Sequence, residues 1–269
     1  MTAPAWLDEL PLQPGPPWLA MATRNLDTAD WLIVDDDRDR DLVRKQVLLA
    51  ERHNEVFAAL DTPAVAVASV EVLELVVGAT GIDAVPLDLH PLDAAGRLVQ
   101  EDLCLMVLRD GAPHLDAASL YFPSYWRLAD KLGRPMTEVH GPVAHYGDEL
   151  AAKVDTFLQR LRPERPVWRR NWSIHDDASY FLPDPTPPLA VSPPEGLYLR
   201  SERQTLRRLT TADVVLFTIR TQQVPLTVLA ERPDVAHRLA DAIAHWSPEL
   251  AAYKGDHGAL AAQPWLASR

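Results

Sequence analysis

A chain of 269 residues, 47% hydrophobic and 24% charged, is long enough to bury a substantial core as one large domain or two small ones. The formal net charge of 26 − 38 = −12 argues against nucleic acid as the main partner, since duplex binding needs a surplus of Lys and Arg. One cysteine, Cys104, excludes an intrachain disulfide framework and the four thiolates of an iron–sulfur cluster, and it suits a reducing cytoplasm.

The opening stretch MTAPAWLDELPLQPG has no basic region followed by an apolar core, so no signal peptide is expected. Residues 11–18, PLQPGPPW, read as an extended segment within an N-terminal arm over 1–30. DDDRDRD at 35–41 reads as a solvated helix start, because acidic groups suit a helix N-terminus. Leu42, Val43, Val47, Leu49, Ala50, Val56, Phe57 and Leu60 recur at spacings near three and four and predict an amphipathic helix. A second helix is expected over 66–77. The apolar run around Val65–Ala79 is interrupted by Ser69, Glu71 and Glu74, so no membrane span is expected.

After His90-Pro91 the pattern changes. LCLMVL (103–108), the turn DGAP (110–113) and HLDAASLYF (114–122) predict a β-hairpin or neighbouring strands. YWRLADKLG (125–133) reads as a helix stopped by Gly133, with Pro135 beyond it, and 148–162 as an amphipathic helix. Three further strands are expected at 166–174, 197–206 and 213–221, and helices from Pro225 onward with breaks near Pro233 and Pro248. The sum is an α+β fold: helices, a five-stranded antiparallel sheet with inserted helices over 31–229, then a helical tail over 230–269.

No HExxH, CxxC, GxSxG or GxGxxG is present, so zincin, zinc-finger, α/β-hydrolase and Rossmann readings lack their signatures. Of nine histidines, His53, His237 and His245 fall inside helical patterns as structural or exposed residues. His140 and His145 flank Gly141-Pro142, which breaks any helix between them. In LYLRSERQTL, strand alternation sends Ser201, Arg203 and Thr205 to one face and Arg200, Glu202 and Gln204 to the other. Thr218 and Arg220 share a face of the next strand. These arginines are open to two readings: ion pairing across a wet sheet face, or a fixed cation delivered into an apolar pocket. Trp126, Trp168 and Trp172 are either core or the wall of a flat cofactor.

Six blocks taken together carry a resemblance: QEDLCLM (100–106), FPSYWRLADKLGRP (122–135), EVHGPV (138–143), RLRPERPVWRRNWSI (160–174), LRSERQTLRRL (199–209) and VLFTIRT (215–221). In order and spacing they resemble the haem-dependent oxidative N-demethylase alpha-subunit family, from about Trp31 to about Leu229. The resemblance implies a haem-binding PAS-like domain and O2-dependent N-demethylation or hydroxylation of a small amine-type substrate. It also implies electrons from a separate flavin and iron–sulfur reductase subunit; the absence of a nucleic-acid or membrane partner is expected from the charge and the interrupted apolar run, not from the resemblance. Hydroxylation beside nitrogen would give a carbinolamine that collapses to aldehyde and shortened amine. His140 matches the expected proximal ligand of haem b, with Gly141-Pro142 fixing the backbone so that one ring nitrogen faces iron. Arg203 or Arg220 would polarise oxygen on the opposite haem face. Glu202 would meet a substrate ammonium or form an ion pair, Arg127 or Arg169 would meet the propionates, and Trp172 would wall the cofactor.

Two departures from the family pattern put the substrate in question: PVAHYG stands where a PVPGY-like continuation is expected, and Tyr125 where a basic residue is expected. A haem-based PAS gas or redox sensor, or a scaffold subunit without cofactor, are the alternative readings. The sensor lacks any visible output segment.

Overall fold

A computed structural model describes residues 3–13, 22–82, 86, 88–139, 148–184, 193–254 and 258–269. Its strands are β1 (Arg24–Asn25), β2 (Phe57–Ala59), β3 (Asp102–Arg109), β4 (Ala112–Ser119), β5 (Val167–His175), β6 (Tyr198–Arg208) and β7 (Val214–Pro225). They form one antiparallel sheet in the order β1-β5-β6-β7-β3-β4-β2. The expected five strands are present as the long ones. Among the described residues the sheet nevertheless has seven, because β1 pairs with β5 at one edge and β2 with β4 at the other. Strands of two and three residues carry too little alternation to be read in advance.

The helices are α1 (Arg38–Val56), α2 (Pro63–Thr80), α3 (Pro91–Gly96), α4 (Leu128–Lys131), α5 (Met136–Val139), α6 (Asp148–Arg160), α7 (Pro233–Ala244), α8 (Pro248–Lys254) and α9 (Ala259–Ala267). The helix expected to run to Leu60 stops earlier. Arg52 leaves helical geometry (φ −143°, ψ 33°), and Phe57–Ala59 pairs with Ser119–Ala117 instead. Only 128–131 of the helix expected over 125–133 forms, since Tyr125 takes φ +60° and its N–H donates to Leu182 O. In α2, Thr62 caps the first turn, Pro63 opens the helix, and Gly81 at φ +68° ends it. By length and composition α2 suffices to cross a membrane. Here its Val65, Ala68, Val72 and Val76 pack into the core against the sheet.

Residues paired directly across antiparallel strands point to the same side, which separates two faces of the sheet. On the first face, Ile174, Leu199 and Val224 pack with Leu7, Leu10 and Leu12 of the N-terminal arm and with Leu239, Ile243 and Leu266 of α7 and α9. Farther along that face, Leu103, Leu105 and Leu216 meet α2 and α3. Arm and tail thus share a core instead of trailing from it. Each fully buried leucine contributes about 1.5–3 kcal/mol. On the second face, Cys104, Met106, Leu206, Val215 and Phe217 are covered by α4, α5 and α6, the helices inserted between β4 and β5. We call these the strap face and the insert face.

Candidate functional site

On the strap face, Arg170, Arg203 and Arg220 stand side by side across β5, β6 and β7 in direct register. Three buried guanidinium groups in a row require acids and carbonyls around them, and the N-terminal third of the chain supplies both. Arg220 Nη2 lies 2.9 Å from Asp35 Oδ1 and 2.9 Å from Asp41 Oδ2. Burial works against its charge, but Asp35, Asp41 and Glu101 outweigh that and raise its pKa. Arg203 donates to the carbonyls of Asp30 (2.7 Å) and Trp31 (3.4 Å), and Arg170 to Glu9, Ser201 and Gln222. Gln100 and Gln222 complete the acids' shell. The acidic run expected as a solvated helix start is therefore partly internal: Asp41 is buried and Asp35 is a clasp. Deeper still, Lys45 donates to the carbonyls of Gly96, Val99 and Glu101, and burial lowers its pKa to about 8.

The insert face carries the complementary side chains: Arg169, Asn171 and Ser173 on β5, Arg200, Glu202 and Gln204 on β6, and Thr221 and Gln223 on β7. Thr221, Glu202 and Asn171 are in register, as are Gln223, Arg200 and Ser173. Gln204 Nε2 donates to Glu202 Oε2 at 3.1 Å, and Arg200 Nε stands 4.0 Å from Glu202 Oε1. Arg200 otherwise donates to the carbonyls of Phe122 and Tyr180, which pins the loops at one end of the face. Burial lowers the pKa of Arg169, with Glu202 opposing.

Among the described residues, five buried polar atoms on this face have no hydrogen-bond partner: Arg169 Nε, Arg200 Nε, Thr221 Oγ1 and Gln223 Oε1, and, farther along β6, Arg208 Nη1. Leaving such a group unpaired costs about 1–3 kcal/mol, so their concentration marks a surface built to meet something polar. Beside them lies the apolar floor of Phe217, Leu206 and Met106. Val139 packs against that floor, in contact with the clusters of Cys104 and Phe217, and His140 is the next residue in the chain.

The expected site residues divide accordingly. His140 lies outside the described residues, as do His145 and Gly141-Pro142. Glu202 and Arg169 are together on the insert face. Arg203, Arg220 and Trp172 are on the strap face, so a group held against Glu202 does not reach them. Trp172 stacks on Trp246 at 5.6 Å within the core shared by arm and tail. Arg127 is exposed and paired with Asp184 through two contacts of 2.6 Å. Arg200, Thr221 and Gln223 were missed, although alternation alone had put Arg200 beside Glu202. Among the described residues no group of three or more His, Cys, Asp or Glu is placed to hold a metal ion. A haem iron asks the protein for as little as one imidazole.

A family model described as haem-dependent oxidative N-demethylase, alpha subunit-like, matches residues 78–261. The match takes in every long strand, the inserted helices and α7.

Proposed function

This chain belongs to the haem-dependent oxidative N-demethylase alpha subunit-like family, and from that premise we propose that it is the haem-bearing subunit of an oxidase acting on a small amine, with the insert face as its site. The long strands, counted among themselves, run second-first-fifth-fourth-third, the order of a PAS sheet, which supports a PAS-like reading with two short edge strands added. The observation that carries the proposal is the set of unpartnered polar atoms on the insert face beside an apolar floor. A flat amphipathic macrocycle with two carboxylates suits the polar part and the half-buried edge of the floor at Phe217.

In this reading His140 holds haem b through its iron, following directly from Val139 on the apolar floor. Arg169, whose Nε lacks a partner, meets a propionate with its planar donors. When bound, the haem supplies activation of dioxygen and removal of electrons from the C–H bond beside nitrogen. Glu202 accepts the substrate's ammonium group, oriented by the Gln204 amide. Arg200, buried and held by the Phe122 and Tyr180 carbonyls, faces Glu202 from 4.0 Å, while Arg203 and Arg220 secure the strap that backs the sheet. A separate flavin and iron–sulfur protein supplies electrons, since Cys104 alone builds no cluster.

The test is the absorption spectrum of the chain expressed with added haem precursor, with H140A and E202Q alongside. The wild type shows a Soret band, H140A loses or shifts it, and E202Q keeps it while weakening the spectral response to a dialkylamine. A colourless wild-type protein, or an unchanged H140A spectrum, refutes the assignment.

A further inference from the structure

Where β5 leaves the sheet, three hydroxyl groups converge on one imidazole. His175 is 2% exposed. Its Nε2 lies 2.7 Å from Ser173 Oγ and 3.5 Å from Ser124 Oγ, and its Nδ1 lies 3.1 Å from the Tyr125 hydroxyl. The Tyr125 ring stacks on the imidazole, centroids 5.1 Å apart and planes at 12°. Tyr125 holds this pose at φ +60°, where a residue other than glycine costs about 1–3 kcal/mol. Packing alone seldom requires such a conformation from a tyrosine. Here it brings a hydroxyl to one imidazole nitrogen while a serine occupies the other.

Ser173 is in register with Arg200 and stands two residues along the strand from Asn171, which opposes Glu202. The Ser173 hydroxyl therefore belongs to the insert face. Tyr125 and Ser173 are both half-buried, and the imidazole between them is closed off. An imidazole is the side chain that can take a proton at one nitrogen and release another from the opposite one.

We propose that Tyr125, His175 and Ser173 form a proton relay onto the insert face. The proposal rests on the oxidase reading, in which R–H + O2 + 2e⁻ + 2H⁺ gives R–OH + H2O. The flavin and iron–sulfur donor provides the electrons and solvent provides the protons. Tyr125 passes its hydroxyl proton to Nδ1 as Nε2–H gives its own to Ser173 Oγ, and Ser173 hands its original proton forward. Solvent reprotonates the tyrosine oxygen, and tautomer exchange resets the ring. Asp176, Asp177 and Arg200 act on the Tyr125 hydroxyl through their charges. Burial, followed by the two aspartates, raises the phenol's pKa, so it remains a neutral donor. A purely structural staple would use the same contacts, so the test must read proton traffic.

The full chain, labelled with ¹⁵N-histidine, is compared as wild type and Y125F. The substitution keeps the stacked ring and removes only the hydroxyl. In the wild type the His175 ring N–H exchanges rapidly with water despite its burial; Y125F loses the fast exchange, with an unchanged melting temperature. A staple without conduction predicts unchanged or faster exchange in Y125F, and that result overturns the relay. In haem-loaded protein given the reductase and a dialkylamine, Y125F and S173A each lower turnover roughly 100-fold. Full turnover in both variants also overturns it. If the wild type takes up no haem, the oxidase reading fails separately, and the exchange comparison still decides whether the conduit exists.

Discussion

Replacing Arg220 by methionine tests the strap face most directly. Arg220 and Asp41 are each 1% exposed at the side chain, and Asp35 is 27% exposed. The variant leaves Asp41 with hydrogen bonds from Arg44 (2.8 Å) and Gln100 (3.0 Å), but without its buried cation. Breaking a buried pair on one side costs about 3–5 kcal/mol, a large share of the roughly 5–15 kcal/mol that holds a typical domain folded. For a chain of this size that corresponds to a fall in Tm of roughly 6–20 °C. Thermal and urea denaturation followed by circular dichroism read the loss.

R220M/D41N, which removes the orphaned charge as well, should recover part of it. The pH dependence supplies a second check. Burial raises the pKa of Asp35, but Arg220 and the hydrogen bonds from Gln100, Arg220 and the Asp37 amide outweigh that and leave it below 3.8. Asp35 therefore contributes stability above pH 3.8 that is lost as pH falls through its lower folded value. R220M should weaken that acid-side loss. A variant within about 0.5 kcal/mol of wild type, the ordinary range for surface changes, refutes the clasp. So does a double variant with no recovery.

Glu71 accepts hydrogen bonds from the amides and hydroxyls of both Thr210 and Thr211 at the β6–β7 hairpin. E71Q should cost about 1–3 kcal/mol in urea denaturation. Burial raises the Glu71 pKa, yet the threonine bonds bring it below 4.5, so the wild type loses this contribution as pH falls through the lower value and E71Q does not. A methyl group at Gly96 would lie 2.1 Å from Ser119 Oγ and 2.8 Å from its Cβ. G96A should therefore destabilise by about 1–3 kcal/mol in thermal unfolding, with S119A relieving only part because the second contact stays. R169A should weaken haem uptake in titration while leaving the melting temperature of the haem-free chain unchanged or higher, since its buried Nε has no partner to lose.

Much of the fold was legible. The period-two pattern located all five long strands to within a few residues, and the inserted helix at 148–160 appeared as expected. What failed were segments whose state depends on distant partners. Phe57–Ala59 continues a helical pattern and becomes a strand because β4 offers it an edge. Asp35 and Asp41 look like surface acids because their counter-ion lies about 180 positions along the chain. The site shows the same division. Alternation correctly separated Glu202 from Arg203, but only the three-dimensional structure shows that the inserted helices cover the Glu202 side. Tyr125 stood out only as a departure from the family pattern, and its partnership with His175 and Ser173 was not legible, since the contact between 125 and 175 comes from a backbone turn that no residue-type rule calls for.

The clasp between Asp35 and Arg220 spans 185 positions, and that between Glu9 and Arg170 spans 161. During synthesis, carboxylates near the start of the chain must therefore remain hydrated until the strands bearing their arginines leave the ribosome. Early helices are left with an incomplete seat for most of translation, and contacts this distant favour slow assembly. A nascent chain halted before residue 220 should thus be the form that chaperones hold.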